Sequence, residues 1–323
     1  MNGLVSLPVA IPLLGAAVLV GSVAVSRRRF VDAWSAACAV AVTVLCAVVL
    51  SRTGGGAVLV HWFGGWQPRH GIALGISFAV DPFGAGLALF IGFLFVMAFV
   101  FSWRYFAVVG PLFHALMLVF LAAAVGFSLT GDLFNLFVFF ELLSVSAYAL
   151  TAYDIEEQGP LQGTLNFAVT NSIGAALVLT GIALLYARTG ALNMAQIGES
   201  LAGSGPDALI VGAFTLLVVG FLVKAAVVPF HFWLADAYAV APTPVCLLLS
   251  AAMSELGLYA LARVYWTIFS GSLGDSEEAL RAVLVCAGTL TAVVGAAMCF
   301  AQRHLRRMLA FATISHVGLF LIG

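Results

Sequence analysis

The sequence predicts an all-α, polytopic membrane helix bundle. Three observations carry that prediction. Hydrophobic residues make up 63% of the 323 and charged residues only 8%, with a mean hydropathy of +1.14, far from the composition of a water-soluble domain. Apolar stretches of about 20 residues recur from end to end, each long enough to cross a bilayer core of roughly 30 Å. Most arginines fall in the short connections between those stretches, where charge remains in water.

Ten spans are expected, at about 4–25, 33–51, 82–102, 111–130, 132–153, 162–187, 208–235, 239–268, 279–301 and 305–323. The whole chain reads as one transmembrane domain, 1–323, in which 1–110 supplies the N-terminal helices. The first apolar stretch begins almost at Met1 and is followed by Arg27, Arg28 and Arg29. A signal peptide has its basic residues before the apolar core, so this order predicts a retained first span that starts outside. Arg27, Arg28, Arg29, Arg104, Arg303, Arg306 and Arg307 then share one side with Asp154, Glu156 and Glu157. Arg52, Arg69, Arg188 and Arg281 take the other side. The basic bias marks the first side as cytoplasmic, which implies a bacterial plasma-membrane protein with its N-terminus outside. The stretch from Ser51 to Val80 is too polar to span. Its Trp62 and Trp66 suit an interfacial lid on the outer face.

Caps punctuate the spans. Asp81 precedes Pro82 and offers an N-cap to the third span. Asp132, after Thr130 and Gly131, can cap the exposed amides of the fifth. A net charge of −1 gives no basic field for nucleic acid. Cys38, Cys46, Cys246, Cys286 and Cys299 all fall inside spans with no metal-ligand spacing, so they read as small buried hydrophobes. No metal and no cofactor is expected.

The ionisable residues inside the spans are the candidate site. Lys224 is the only lysine, in the apolar run Ala213 to Pro229. An ammonium at that depth needs a partner and marks a function. Pro229, five residues on, lacks an N–H and clashes with the carbonyl of Ala225. The helix should therefore open between Lys224 and Pro229, and irregular backbone at that depth belongs where it is buried in protein or lines a cavity. Glu141 follows Asp132 by nine residues, about 13 Å of helix, and is a plausible partner for Lys224, with Ser144 one turn on to orient it. Glu255 is also deep. His231 and Asp236 sit near the end of the seventh span, and His316 in the tenth titrates in a range suited to a shuttle. The alternative for each is a packing role: a static buried pair, a carboxyl held protonated, a proline kink, interfacial or satisfied histidines. Asn166, Asn171 and Ser172 read as polar glue or the lining of a water wire.

Three stretches complete the pattern: Thr130 to Ser144 (TGDLFNLFVFFELLS), Lys224 to Ala237 (KAAVVPFHFWLADA) with Ala241 to Val245 (APTPV), and Arg306 to Gly318 (RRMLAFATISHVG). In these the chain resembles the antiporter-like membrane subunits shared by complex I, the NADH:quinone oxidoreductase, and the Mrp-type multisubunit cation/proton antiporters. The likeness covers roughly residues 75 to 323. It implies a fourteen-helix fold with two inverted five-helix repeats, the first at 111–268 with a broken helix near 224–230, and an incomplete second at 279–323. It also implies that Glu141 and Lys224 form one half-channel for protons or Na⁺, and that other membrane subunits are partners alongside the lipid bilayer. Glu255 stands where antiporter-type relatives carry a lysine. The sequence ends at Gly323 inside the tenth span, as a truncated, split or reduced member would. Two further classes remain open at this point: a non-conducting structural subunit, and an integral redox enzyme, for which His114, His231 and His316 show no paired ligand pattern.

Overall fold

The computed structural model describes residues 2–24, 27–105, 110–153, 158–203, 205, 207–274 and 276–323. Asp154, Glu156 and Glu157 lie outside them. In chain order the elements are α1 (Leu7–Gly21), α2 (Arg28–Arg52), β1 (Leu59–Trp62), β2 (Ser77–Val80), α3 (Pro82–Tyr105), α4 (Pro111–Leu129), α5 (Leu133–Thr151) and α6 (Gln158–Thr189). There follow α7 (Met194–Leu201), α8 (Ala208–Lys224), α9 (Phe232–Val240), α10 (Thr243–Leu248), α11 (Ser254–Val264), α12 (Ser276–Ala301) and α13 (Leu305–Ile322).

Among the described residues, eight helical segments are long and apolar enough to cross a membrane, one of them the composite Thr243–Phe269. Two expected spans are shorter helices, Leu7–Gly21 and Ala208–Lys224. The second is short because the stretch expected at 208–235 is two helices, α8 and α9, with a non-helical segment between. The composite span also changes its winding. Between α10 and α11 the turn Leu249–Met253 is a π-helix, and Tyr265–Phe269 is another. Such wide turns occur mostly where a helix serves a site.

The chain divides into two compact units, the first formed by Met1–Gln67, Gly75–Tyr153 and Pro242–Ala252, the second by Pro68–Leu74, Asp154–Ala241 and Met253–Gly323. In the first, α4 is the central helix. It packs against α1, α2, α3 and α5, and its residues from Met117 onward, Val119 aside, are almost fully shielded. Aromatic contacts tie it to its neighbours: Phe120 meets Phe95 edge-on at 5.5 Å, and Phe127 lies 6.4 Å from Phe140.

A two-stranded antiparallel sheet joins the same unit, running in register from Leu59↔Val80 to Trp62↔Ser77. The lid expected at 51–80 contained no strands. Both segments are rich in valine and aromatic residues, which suit a pleated surface, but four residues are too few to show a period. The hairpin also supports the α4–α5 turn, because Gly131 N–H donates to the Ser77 carbonyl at 2.9 Å and Phe78 bridges to Thr130. Trp66 is exposed at the lid surface.

In the second unit α6 packs on α8 and α9, α11 on α8, α9 on α13, and α12 on α13. Phe167 of α6 stacks on Trp233 of α9 with centroids 4.5 Å apart. Asp207 caps α8 by accepting from the Ile210 amide at 2.8 Å. Of the five cysteines, Cys38, Cys46 and Cys246 are buried, but Cys286 faces outward from α12. That departs from the reading of all five as buried, and follows from the outward exposure of most of α12.

Candidate functional site

The first unit carries the acidic residues at and within α5. Asp132 accepts from the Asn135 amide at 2.8 Å, and the Asn135 side chain donates to Thr130 Oγ1 at 3.0 Å. Asp81 caps α3 in the same way, accepting from Gly84 N–H at 2.8 Å. Glu141 lies near the middle of α5, half-buried, directly after the buried Phe139 and Phe140. Ser144, also buried, donates to the Phe140 carbonyl at 2.8 Å.

The second unit carries Lys224. It is fully buried and is the last residue of α8. The helix ends there in a tight C-terminal cap. Ala226 N–H donates to the Val223 carbonyl at 3.1 Å and Val227 N–H to the Leu222 carbonyl at 3.0 Å, the paired bonds of a Schellman motif. The left-handed position of that motif is usually glycine. Here it is Ala226, at φ +59, so the cap holds a conformation that its Cβ disfavours.

The segment from Ala225 to His231 lies within a stretch expected to span, where a freed backbone has to find partners in the protein. Val228 N–H donates to Thr291 Oγ1 of α12 at 3.1 Å, and that hydroxyl donates to its own helix at the Ala287 carbonyl, 2.6 Å away. Trp233 Nε1 donates to the Val223 carbonyl at 3.0 Å. Phe230 N–H donates to the Val227 carbonyl at 2.7 Å. Pro229, which donates nothing, follows Val228 through a cis peptide bond.

α11 reaches this break at Gly257. A Cβ there would lie 2.8 Å from the Ala225 nitrogen and 2.9 Å from the Phe221 carbonyl oxygen, so only glycine allows the approach. Glu255 is two residues before that contact, half-buried in the first turn of α11 and directly after the π-helical turn. His231 is buried between Phe232 and Phe311. Asp236 accepts from Asn166 Nδ2 at 3.0 Å and lies 3.5 Å from Arg307 Nη2, so it joins α6, α9 and α13. His316 is exposed on α13.

The structure thus gathers Lys224, Pro229 and His231 along one interrupted segment and brings α11, with Glu255, against its start. Glu141 is carried by the other unit. Sequence reasoning missed Thr291 and Ala226. Thr291 had a faint signal, one of two hydroxyls, with Thr289, in an otherwise apolar run, whereas nothing local distinguishes Ala226 from its neighbour Ala225.

Comparison with known proteins follows the same residues. A transmembrane family described as NADH:quinone oxidoreductase/Mrp antiporter matches residues 130–323. The chain is 31% identical to a subunit of the Na(+)/H(+) antiporter of Bacillus subtilis, over its full length and 64% of the relative's. It is 34% identical to a subunit of the NADH-quinone oxidoreductase of Desulforudis audaxviator, over 89% of this chain and 57% of the relative. Among solved structures, a chain of the membrane-bound sulfane sulfur reductase, an archaeal respiratory membrane complex, superposes with a TM-score of 0.90 at 28% identity, covering 98% of this chain and 64% of its own. A chain of the Mrp complex from Dietzia sp. DQ12-45-1b superposes at 0.88 and 28% identity, covering 99% and 58%. The chain therefore spans about three-fifths of the length of these relatives. Matched over more than half its residues, and across the segments that hold Glu141, Lys224 and Glu255, this multi-pass membrane protein belongs to the NADH:quinone oxidoreductase/Mrp antiporter transmembrane family.

Proposed function

We propose that the chain is a proton- or cation-translocating membrane subunit of a multisubunit antiporter or complex I-like assembly, with Glu141 and Lys224 as its protonation switch. The observation that carries this reading is the amine of Lys224, wholly buried at the end of an apolar helix that stops within the stretch expected to span at 208–235. A static buried ion pair adds little net stability, because desolvation offsets most of the attraction. Intramembrane ionisable residues are more often kept for transfer. When the carboxylate is near, the ammonium is the favoured form. When it withdraws, the neutral amine is favoured in the low-dielectric surroundings and the proton leaves through polar groups and water. Glu255, on the helix packed against the break, receives the proton or sets the field around it. The side bearing Arg27 to Arg29 is cytoplasmic in this scheme, by its excess of arginine.

The test is ion flux in vesicles containing the assembled complex, driven by a pH gradient and measured with and without Na⁺. Lys224→Ala and Glu141→Ala should each lower the rate at least about tenfold while assembly persists. Normal flux from both assembled variants rejects the switch. Lost assembly together with unchanged flux per assembled complex identifies a structural pair instead.

A further inference from the structure

A second buried pair of ionisable side chains lies in the first unit, separate from every residue placed in the site above. Asp32, in the second turn of α2, is 6% exposed, and His114, in the first turn of α4, is 4% exposed. His114 Nε2 is 3.1 Å from Asp32 Oδ1. The other Asp32 oxygen lies 3.8 Å from Arg28 Nε, on a side chain open to solvent, and Arg28 Nη2 also donates to the Trp103 carbonyl at 3.4 Å. The imidazole stacks on Phe99 with centroids 6.0 Å apart and meets Phe113 edge-on. Its Nδ1 is buried and makes no hydrogen bond of normal geometry among the described residues, although the Gly110 backbone lies close enough to influence the ring.

A packing contact does not account for this arrangement. A neutral ring donating from Nε2 leaves Nδ1 a bare acceptor, and a buried polar atom without a partner costs roughly 1–3 kcal/mol. A proton added to Nδ1 leaves the Nε2–H bond to Asp32 in place and turns it into an ion pair between imidazolium and carboxylate. The site is also shallow. His114 lies three residues beyond Pro111, about 5 Å along the helix, and Arg28 is the first residue of α2.

The groups that face the ring are few. α1 and β2 carry no titratable side chain, and α3 presents Phe99 and the Trp103 carbonyl but none among its described side chains. α2 brings Arg28 and Asp32. α5 carries Glu141 and Tyr148 further along, and just beyond its end the Tyr153 hydroxyl accepts from Gly110 N–H at 3.3 Å.

We propose that Asp32 and His114 form a second proton-binding site, in which the imidazole takes up a proton from the aqueous phase on the Arg28 side. The loaded site clamps α2 to α4 through an ion pair, and the unloaded site holds them by a hydrogen bond from the neutral imidazole to the carboxylate. The packing of this unit thereby responds to pH at a place separate from the Glu141–Lys224 switch.

The test reads the ring itself. Full-length protein labelled with ¹⁵N-histidine, in lipid vesicles, is followed by solid-state NMR between about pH 4 and 8. The signal missing from His114→Gln belongs to His114. It is expected to pass from one protonated nitrogen to two as pH falls, and Asp32→Asn should weaken proton binding at least about tenfold, moving the midpoint down by about one pH unit. A ring that keeps one protonation state throughout overturns the proposal, as does a midpoint unmoved in Asp32→Asn. If His114→Gln does not fold, the signal shifted by Asp32→Asn serves as the assignment, and the absence of any shifted signal overturns it equally. Because the measurement does not depend on ion flux, it stands or fails independently of the function proposed above.

Discussion

At the scale of single residues, this molecule keeps its few charges by giving each a defined local task. Asp81, Asp132 and Asp207 each accept from an amide in the first turn of the helix they precede. The Asp132 cap is the most enclosed of the three, at 6% exposure. Asp132→Ala should cost about 1–2 kcal/mol, seen as a lower thermal unfolding midpoint of the purified protein, while Asp132→Asn, which keeps an acceptor oxygen, should cost less than half as much. Equal losses in the two variants would show that the charge, and not the hydrogen bond, holds the turn. The caps at Asp81 and Asp132 are legible as aspartates in front of apolar runs, whereas the one at Asp207 emerges only in the structure. The Asp32–His114 pair is not legible either, because its members are 82 positions apart in the sequence and meet only when α2 packs on α4.

At the scale of elements, the interruption after Lys224 decides what the site can be. Pro229 marked a stop, yet the stop itself is built by Ala226 in the left-handed region, with Thr291 of α12 and Trp233 of α9 supplying partners for the freed backbone. Alanine in that conformation costs about 1 kcal/mol more than glycine. Ala226→Gly should therefore raise the unfolding free energy by up to about 1 kcal/mol, and Ala226→Val should lower it by at least as much, measured by denaturant unfolding in detergent. If Ala226→Gly stabilises the protein and lowers flux, the strained turn serves transport, because a relaxed cap holds the break in one state. The close approach at Gly257 has no sequence signature, since it depends on how α8 and α11 pack.

At the scale of the whole molecule, apolar surface points outward along several helices, most of all α12, whose most apolar window is only 17% buried. Lipid or neighbouring subunits suit such a face, because no water is needed to satisfy a helical backbone. The α12–α13 pair is held by backbone proximity instead of large side chains. A Cβ on Gly295 would lie 2.6 Å from the Ser315 nitrogen, and the Ser315 hydroxyl donates to the Ala292 carbonyl at 3.0 Å. Gly295→Leu should push the two helices apart and destabilise the protein by about 1–3 kcal/mol, with Gly295→Ala intermediate, as read from unfolding midpoints in detergent. An unchanged midpoint for the leucine variant would mean that the pair is held elsewhere.

The sequence by itself determined the helical membrane class, the approximate apolar spans and which ionisable residues fall within apolar runs. Each of these follows from composition, length and local chemistry, which a linear reading contains. Only the tertiary structure decided where the freed amides at the break find partners, which glycines permit contact, that the lid contains a hairpin, and that Asp32 meets His114. Those outcomes depend on residues distant in the chain, and a membrane helix shows the same apolar face whichever neighbour it meets.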